Sequence, residues 1–352
     1  MTAFLQRLGI DLPIIQAPMA GTSTPALAAA VCEAGALGSI AVGATNAAGA
    51  AGMIAETRER TARPFNVNLF CHAPARPDAA REAAWLEALR PRFEAFGAAP
   101  PTALQEIYTS FLADDAMLEV LLAARPAVIS FHFGLPAADR IAALRDTGAL
   151  LLATATSPTE ARACVDAGID AVVAQGIEAG GHRGMFDPAA PDEQLGLLSL
   201  VRQMVSAIDR PVIAAGGIMD GAGIAAALKL GAEAVQLGTA FVACPESNAD
   251  AGHRAALARA EGTLLTDAIS GRPARCLLNA FTGLGEDLAG IPRPDYPIAY
   301  DAGKALAAAA KARGDLGYGA HWAGQGAPLS RPMPAADLVA TLAQEWRRSA
   351  GH

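Results

Sequence analysis

Eight short apolar runs recur between residues 14 and 239 of this chain, at 14–20, 36–43, 65–70, 127–133, 150–156, 171–176, 211–217 and 234–239. Each is near-continuous rather than alternating, the pattern of strands buried on both faces of a parallel sheet. Alanine-rich segments of helical composition lie between them at 25–34, 137–147, 158–167, 195–208 and 221–230. Gly35, Gly148, Gly168 and Gly231 directly follow four of these segments, where a C-cap glycine stands. Strand and helix alternating eight times predicts an α/β fold of the (β/α)8 TIM-barrel type. The main rival, a doubly wound sheet, has fewer strands and a GxGxxG turn after the first. Neither is present here.

The 352 residues exceed a minimal barrel. Residues 1–71 and 126–245 are expected to form it. Residues 72–125 read as a helical insertion, with helices over 78–96 and 102–124. Residues 246–352 read as a C-terminal extension that completes the barrel and covers the active site. Material added after strands three and eight sits at the C-terminal face, so both insertions are candidate lids. Hydrophobic residues make up 52% of the chain, and no charge falls between Asp11 and Glu33. Pro13, Gln16, Pro18 and Pro25 nevertheless mark that stretch as strand and turns, not as a lipid-spanning helix. Asp11 and Pro13 also interrupt the N-terminus before a signal-peptide core can form. A soluble, cytoplasmic protein without a membrane partner is expected. A net charge of -8 and 5% aromatic residues argue against nucleic acid. Cys32, Cys71, Cys164, Cys244 and Cys276 are scattered without CxxC spacing, which predicts reduced, buried thiols.

Residues just past each barrel strand face the site. Strands seven and eight end in AGGI (215–218) and QLGT (236–239), where glycines let backbone N–H groups approach a phosphate and Thr239 adds a hydroxyl. Strand six runs into QGIEAGGHRG (175–184), four glycines around His182 and Arg183. His182 is a candidate for chemistry; Arg183 could meet a phosphate or carboxylate, or form only an ion pair. His132, in SFHFG (130–134), faces the same pocket if it points inward and is otherwise a core histidine. Asn66 and Asn68 share one face of strand three and suit a heterocycle. Gln16 and the turn at 17–21, with Met19, could line a flat ring. Lys229, Lys304 and Lys311 are the only lysines and none ends a strand, which argues against a Schiff base. No cluster has metal-ligand spacing. A barrel with a phosphate site and strand amides, but no nucleophile or metal, points to a cofactor that carries the chemistry, and FMN fits. Tyr296, Tyr300 and Lys304 would lie together about a helix starting at Pro297, suiting a small anionic substrate.

The chain resembles the nitronate monooxygenase family, formerly called 2-nitropropane dioxygenases, in its class I form. The matching stretches are PIIQAPMAG (13–21), FNVNLFCH (65–72), SFHFG (130–134), QGIEAGGHRG (175–184), AAGG (214–217), QLGTAFVACPES (236–247) and WAGQG (322–326) followed by Arg331. The resemblance runs from about residue 10 to 345 and implies an FMN-dependent TIM barrel. It implies FMN contacts from Met19, Asn68, Gln175, Gly180, Gly217, Gln236, Leu237, Gly238 and Thr239. It also implies a substrate pocket of Tyr108, His132, His182, Tyr296, Tyr300 and Lys304. The implied chemistry is a detoxifying oxidation of alkyl nitronates, propionate 3-nitronate especially, by O2 through a flavin semiquinone and without metal. His182 and His132 would hold the anionic nitro group or act as base for a neutral nitroalkane, and a cationic Lys304 or histidine would favour the anion. Related reductases often carry a histidine just after strand five, where this chain has Ser157. Two other functions share the barrel: NAD(P)H-dependent flavin reduction of quinones or enoyl thioesters, and non-catalytic binding of a phosphate ligand. A monomer or homodimer is expected.

Overall fold

A computed structural model describes residues 2–351 of the chain. Eight parallel strands form the barrel: Ile14–Gln16, Ser39–Ala41, Asn66–Phe70, Val128–His132, Leu150–Ala155, Ala171–Gln175, Val212–Ala215 and Ala234–Leu237. The first pairs with the eighth, Ile15 opposite Gln236, and a parallel bridge from Ile15 to Leu37 links it to the second. The apolar runs outlast the strands, because their small and glycine-rich last residues turn away to build the barrel's top. Four helices end where expected: Gly35, Gly148, Gly168 and Gly231 adopt φ of 89°, 90°, 86° and 104°, the left-handed region that favours glycine.

Strand alternation divides the core in two. Outward residues such as Ile129, Phe131, Leu151, Val172, Ala174, Val212 and Val235 pack under the surrounding helices. Inward residues at the strands' N-terminal halves, including Ile15, Val128, Leu150, Leu152, Ala171, Val173 and Ile213, meet Phe4, Leu5 and Leu8. Helix Ala3–Leu8 therefore plugs the barrel's lower end, with Thr2 capping it by accepting from the Leu5 N–H at 3.4 Å. Above this apolar floor the inward positions turn polar. Ser130 Oγ accepts from Asn66 Nδ2 and Asn68 Nδ2, each at 2.9 Å.

Helix Asp115–Ala124 packs between Ala47–Arg60 and Ala138–Asp146, as the barrel's own third helix. The helix expected over 102–124 thus starts only at Asp115, where the Asp114 carboxylate caps Met117 N–H at 2.9 Å. The stretch before it is held by distant partners instead: Phe111 N–H donates to Phe70 O, and Gln105 N–H to the Asp301 carboxylate. Helix Ala79–Ala95 pairs with Ile298–Lys311 of the extension through a shared core that includes Trp85, Leu89, Phe93, Phe281, Leu306 and Ala310. The last helix, Ala335–Ala350, packs against Gly221–Lys229 and Pro25–Glu33 and so fills the place of the eighth barrel helix. A small antiparallel sheet joins Thr263–Thr266, Ala274–Leu277 and Gly181–His182, stitching the extension to the loop after strand six. All five cysteines are buried and free. No helix among the described residues is long and apolar enough to cross a membrane.

Candidate active site

The C-terminal ends of the strands surround a cavity of about 180 Å³, against the roughly 10–15 Å³ that one water requires. Asn68, Ser130, His132, Thr154, Gln175 and Gln236 line its base; Met19, Gly180, His182, Gly217, Leu237, Gly238 and Thr239 its sides; Tyr108, Tyr296, Tyr300 and Trp322 complete the wall. The candidate residues converge on this one space, except Lys304, Asn66, Gln16 and Arg183. Lys304 is exposed outside it, its Nζ 4.9 Å from the Tyr108 ring centre and 5.2 Å from that of Tyr300. Asn66 and Gln16 lie behind the wall, with Asn66 Oδ1 buried without a protein partner and the Gln16 amide spent within the protein. Gln16 Oε1 accepts from Ser39 N–H at 2.8 Å, and its Nε2 donates to Ser23 Oγ at 2.9 Å.

One end of the cavity is an anion cradle. Gly216 and Gly217 take φ of 131° and 69°, where a side chain would be strained. The N–H groups of Gly217, Gly238 and Thr239 make no hydrogen bond within the described chain. Thr239 Oγ accepts from Gly324 N–H at 2.9 Å, which leaves its own hydrogen to donate. Such convergent backbone donors, with a hydroxyl, are chemistry for a phosphate. Strand amides face the same space: Asn68 uses only its NH2 group internally, and the Gln236 side chain makes no protein hydrogen bond among the described residues.

The other end holds two histidines. His132 does point inward: its Nε2 lies 3.3 Å from His182 O, and since a carbonyl only accepts, that nitrogen carries the proton. His182 Nε2 lies 2.8 Å from Ser270 Oγ. Gln175 fixes the loop between them, donating to His182 O at 3.0 Å and accepting from Gly184 N–H at 2.8 Å. Burial, with the nearby Arg272 cation second, pushes His132 down to about 3 and His182 well below the usual imidazole range. Both are therefore neutral at physiological pH. The cationic option falls to Lys304 and to Arg272, which burial lowers only to about 10.

Arg183 turns out to be internal bracing. It is 1% exposed, pairs with Asp192 at 2.8 Å, and donates to Gln175 O and Gly176 O at 3.0 and 3.2 Å. Ser157 caps helix Pro158–Asp166 by accepting from Glu160 N–H at 3.2 Å, a local reason for serine there. Sequence reasoning missed Ser130, Thr154, Phe133, Trp322, Ser270 and Arg272. Ser130 was readable, two residues from His132 and so on its face. Trp322 opens a motif already singled out. Ser270 and Arg272 carried no signal, because only the fold-back of the extension brings them to His182.

The family model described as Nitronate monooxygenase matches residues 2–345. A nitronate monooxygenase of Paraburkholderia phytofirmans is 62% identical over 349 residues, covering 99% of this chain and 95% of that protein. One from Pseudomonas aeruginosa is 56% identical over 346 residues, covering 98% and 99%. The crystal structure of a nitroalkane oxidase from Streptomyces ansochromogenes superposes with a TM-score of 0.89 at 43% identity, covering 99% of both chains. A match across nearly the whole length, with a barrel whose site gathers the motif residues, makes this chain an oxidoreductase that belongs to the flavin-dependent nitronate monooxygenase family.

Proposed function

We propose that the cavity binds FMN and that the protein oxidises small anionic alkyl nitronates, propionate 3-nitronate foremost, with O2. One observation carries this reading: a single cavity joins a backbone anion cradle to a wall of neutral histidines and tyrosines. The cradle fits the FMN phosphate through Gly217, Gly238 and Thr239. Asn68 and Gln236 offer unspent amide groups to a polar ring system, with Met19 beside them. The bound flavin supplies the electron acceptor for the nitronate and the route to O2.

The chain's own residues bind, orient and shield. Tyr108, Tyr296, Tyr300 and Trp322 narrow the space over the histidines and exclude water, which strengthens the electrostatics inside. Neutral His132 and His182 each keep one ring nitrogen as an acceptor. Such a nitrogen can accept from a protonated nitronate, or take the α-proton of a neutral nitroalkane where the nitronate anion formed beside it balances the imidazolium. Lys304 at the rim and buried Arg272 make the potential positive, which draws in the anion.

The test is anaerobic mixing of the protein with propionate 3-nitronate and, separately, with NADH and NADPH, following flavin absorbance. Rapid bleaching by the nitronate and little by either nicotinamide is expected. The reverse result would overturn the reading in favour of a reductase, and a protein that retains no FMN would remove the cofactor assignment.

A further inference from the structure

We propose that Ser270 is a positioning residue: it receives the Nε2–H of His182 and so holds that imidazole as the tautomer whose Nδ1 carries the free lone pair. The inference rests on the proton-accepting role given to His182 above, and names what prepares it.

Ser270 is 0% exposed, so no bulk water competes for its hydroxyl. Its Oγ lies 2.8 Å from His182 Nε2 and 3.2 Å from Arg272 O. A hydroxyl has one hydrogen, and a carbonyl can only accept. Both contacts are therefore satisfied only when the hydroxyl donates to Arg272 O and accepts from His182 Nε2–H. The opposite arrangement sets two acceptors against each other at Arg272 O, a buried mismatch that costs about 1–3 kcal/mol. His182 Nδ1 then remains without a protein partner, and it is not among the side-chain atoms sealed from solvent.

The frame around the pair is rigid. His182 is registered opposite Ala274 in the small sheet, which fixes the ring relative to the 270–272 turn. Gly271 sits at φ 81°, and a Cβ there would lie 2.4 Å from Pro294 O, so the turn is seated hard against the next segment. The titratable and charged groups around His182 are His132, His72, Tyr296, Tyr300 and Arg272. Arg272 does not touch the imidazole. It stacks 4.2 Å over the Phe133 ring and donates to Met185 O. Its charge disfavours imidazolium, so the choice left to His182 is between two neutral tautomers, and Ser270 makes it. A hydrogen bond with a neighbouring group that fixes which nitrogen is bare is a recurrent way to ready a histidine.

Long-range proton–nitrogen correlation spectra of the 15N-histidine-labelled protein, as isolated, read the tautomer directly. The His182 signals are assigned by their loss in His182→Asn. A protonated Nε2 and bare Nδ1 are expected in the wild type at neutral pH. Ser270→Ala should mix the tautomers and lower kcat/KM for a neutral nitroalkane roughly 10- to 100-fold; Ser270→Thr, which keeps the hydroxyl, should restore both. A wild-type Nδ1–H tautomer, or an unchanged one in Ser270→Ala, overturns the proposal. The wild-type spectrum decides alone if Ser270→Ala does not fold. A shifted tautomer with undiminished turnover leaves the positioning role standing and instead removes proton acceptance from His182.

Discussion

Charge at the site is carried by residues of two kinds, and burial separates them. His132 and His182 lose their cationic forms because desolvation outweighs anything nearby that could hold a proton. Arg272 keeps its charge under nearly the same burial, since an arginine must fall much further to neutralise. Lys304 lies in water, with its ammonium over the rings of Tyr108 and Tyr300. Its field reaches an approaching anion through solvent, so its effect is on capture, not on the chemical step. Lys304→Gln should raise KM for an anionic nitronate roughly 1.5- to 5-fold with kcat unchanged. Steady-state kinetics at low salt and again at about 1 M, where the Debye length is about 3 Å, should show the difference vanish. A kcat loss that persists in high salt would place Lys304 in the chemistry. The histidines were legible from the sequence because each stands among glycines or strand residues with little else to offer. Arg272 was not, since nothing near residue 272 announces a distant pocket.

Elements follow local rules where local chemistry decides and depart from them where a distant partner does. The four C-cap glycines were readable because a left-handed residue after a helix has few candidates. Residues 102–114 were misread as helix because their hydrogen bonds run to Phe70 and Asp301, far off in sequence. That irregular path is what carries Tyr108 to the cavity mouth, 6.1 Å from Tyr300. The loop after strand six depends on similar long-range fitting. A Cβ on Gly180 would stand 2.5 Å from the backbone of Ala323 and Gly324, while Gln325 N–H donates to Glu178 O at 2.9 Å. Gly180→Ala must therefore push the 322–326 segment outward, and with it Trp322 and the Gly324 N–H that engages Thr239. The flavin-to-protein ratio after gel filtration should fall at least about 10-fold in affinity terms, the cost of displacing a supporting contact. Circular dichroism should show the barrel intact. An unchanged ratio would mean that the two loops can separate freely.

The molecule as a whole is a barrel closed at both ends, by helix Ala3–Leu8 below and by the paired insertions above. The apolar runs made the barrel legible; its closure at the top was not, because the shared core of Ala79–Ala95 and Ile298–Lys311 joins segments about two hundred residues apart. Closure buries polar groups that ordinary surfaces would hydrate, and this sets how the fold responds to acid. Burial pushes His72 and His253 down to about 4 and His132 to about 3. His253 is stacked on His321 at 5.1 Å, its Nε2 without a partner. Above the ordinary imidazole value of 6.5 these side chains are neutral whether the chain is folded or not. Below it, the unfolded chain takes up protons that the folded chain refuses, so stability falls as pH drops from 6.5 toward 4. Each fully shifted histidine contributes at most about 3 kcal/mol to that loss. Thermal unfolding followed from pH 7.5 to 4.5 should show Tm declining steadily below about 6.5. His253→Phe keeps the ring stack against His321 and removes one of the refused protons, so its Tm should decline less steeply over the same range. A parallel decline in wild type and variant would assign the acid sensitivity to the other buried histidines, His72, His132, His182 and His321.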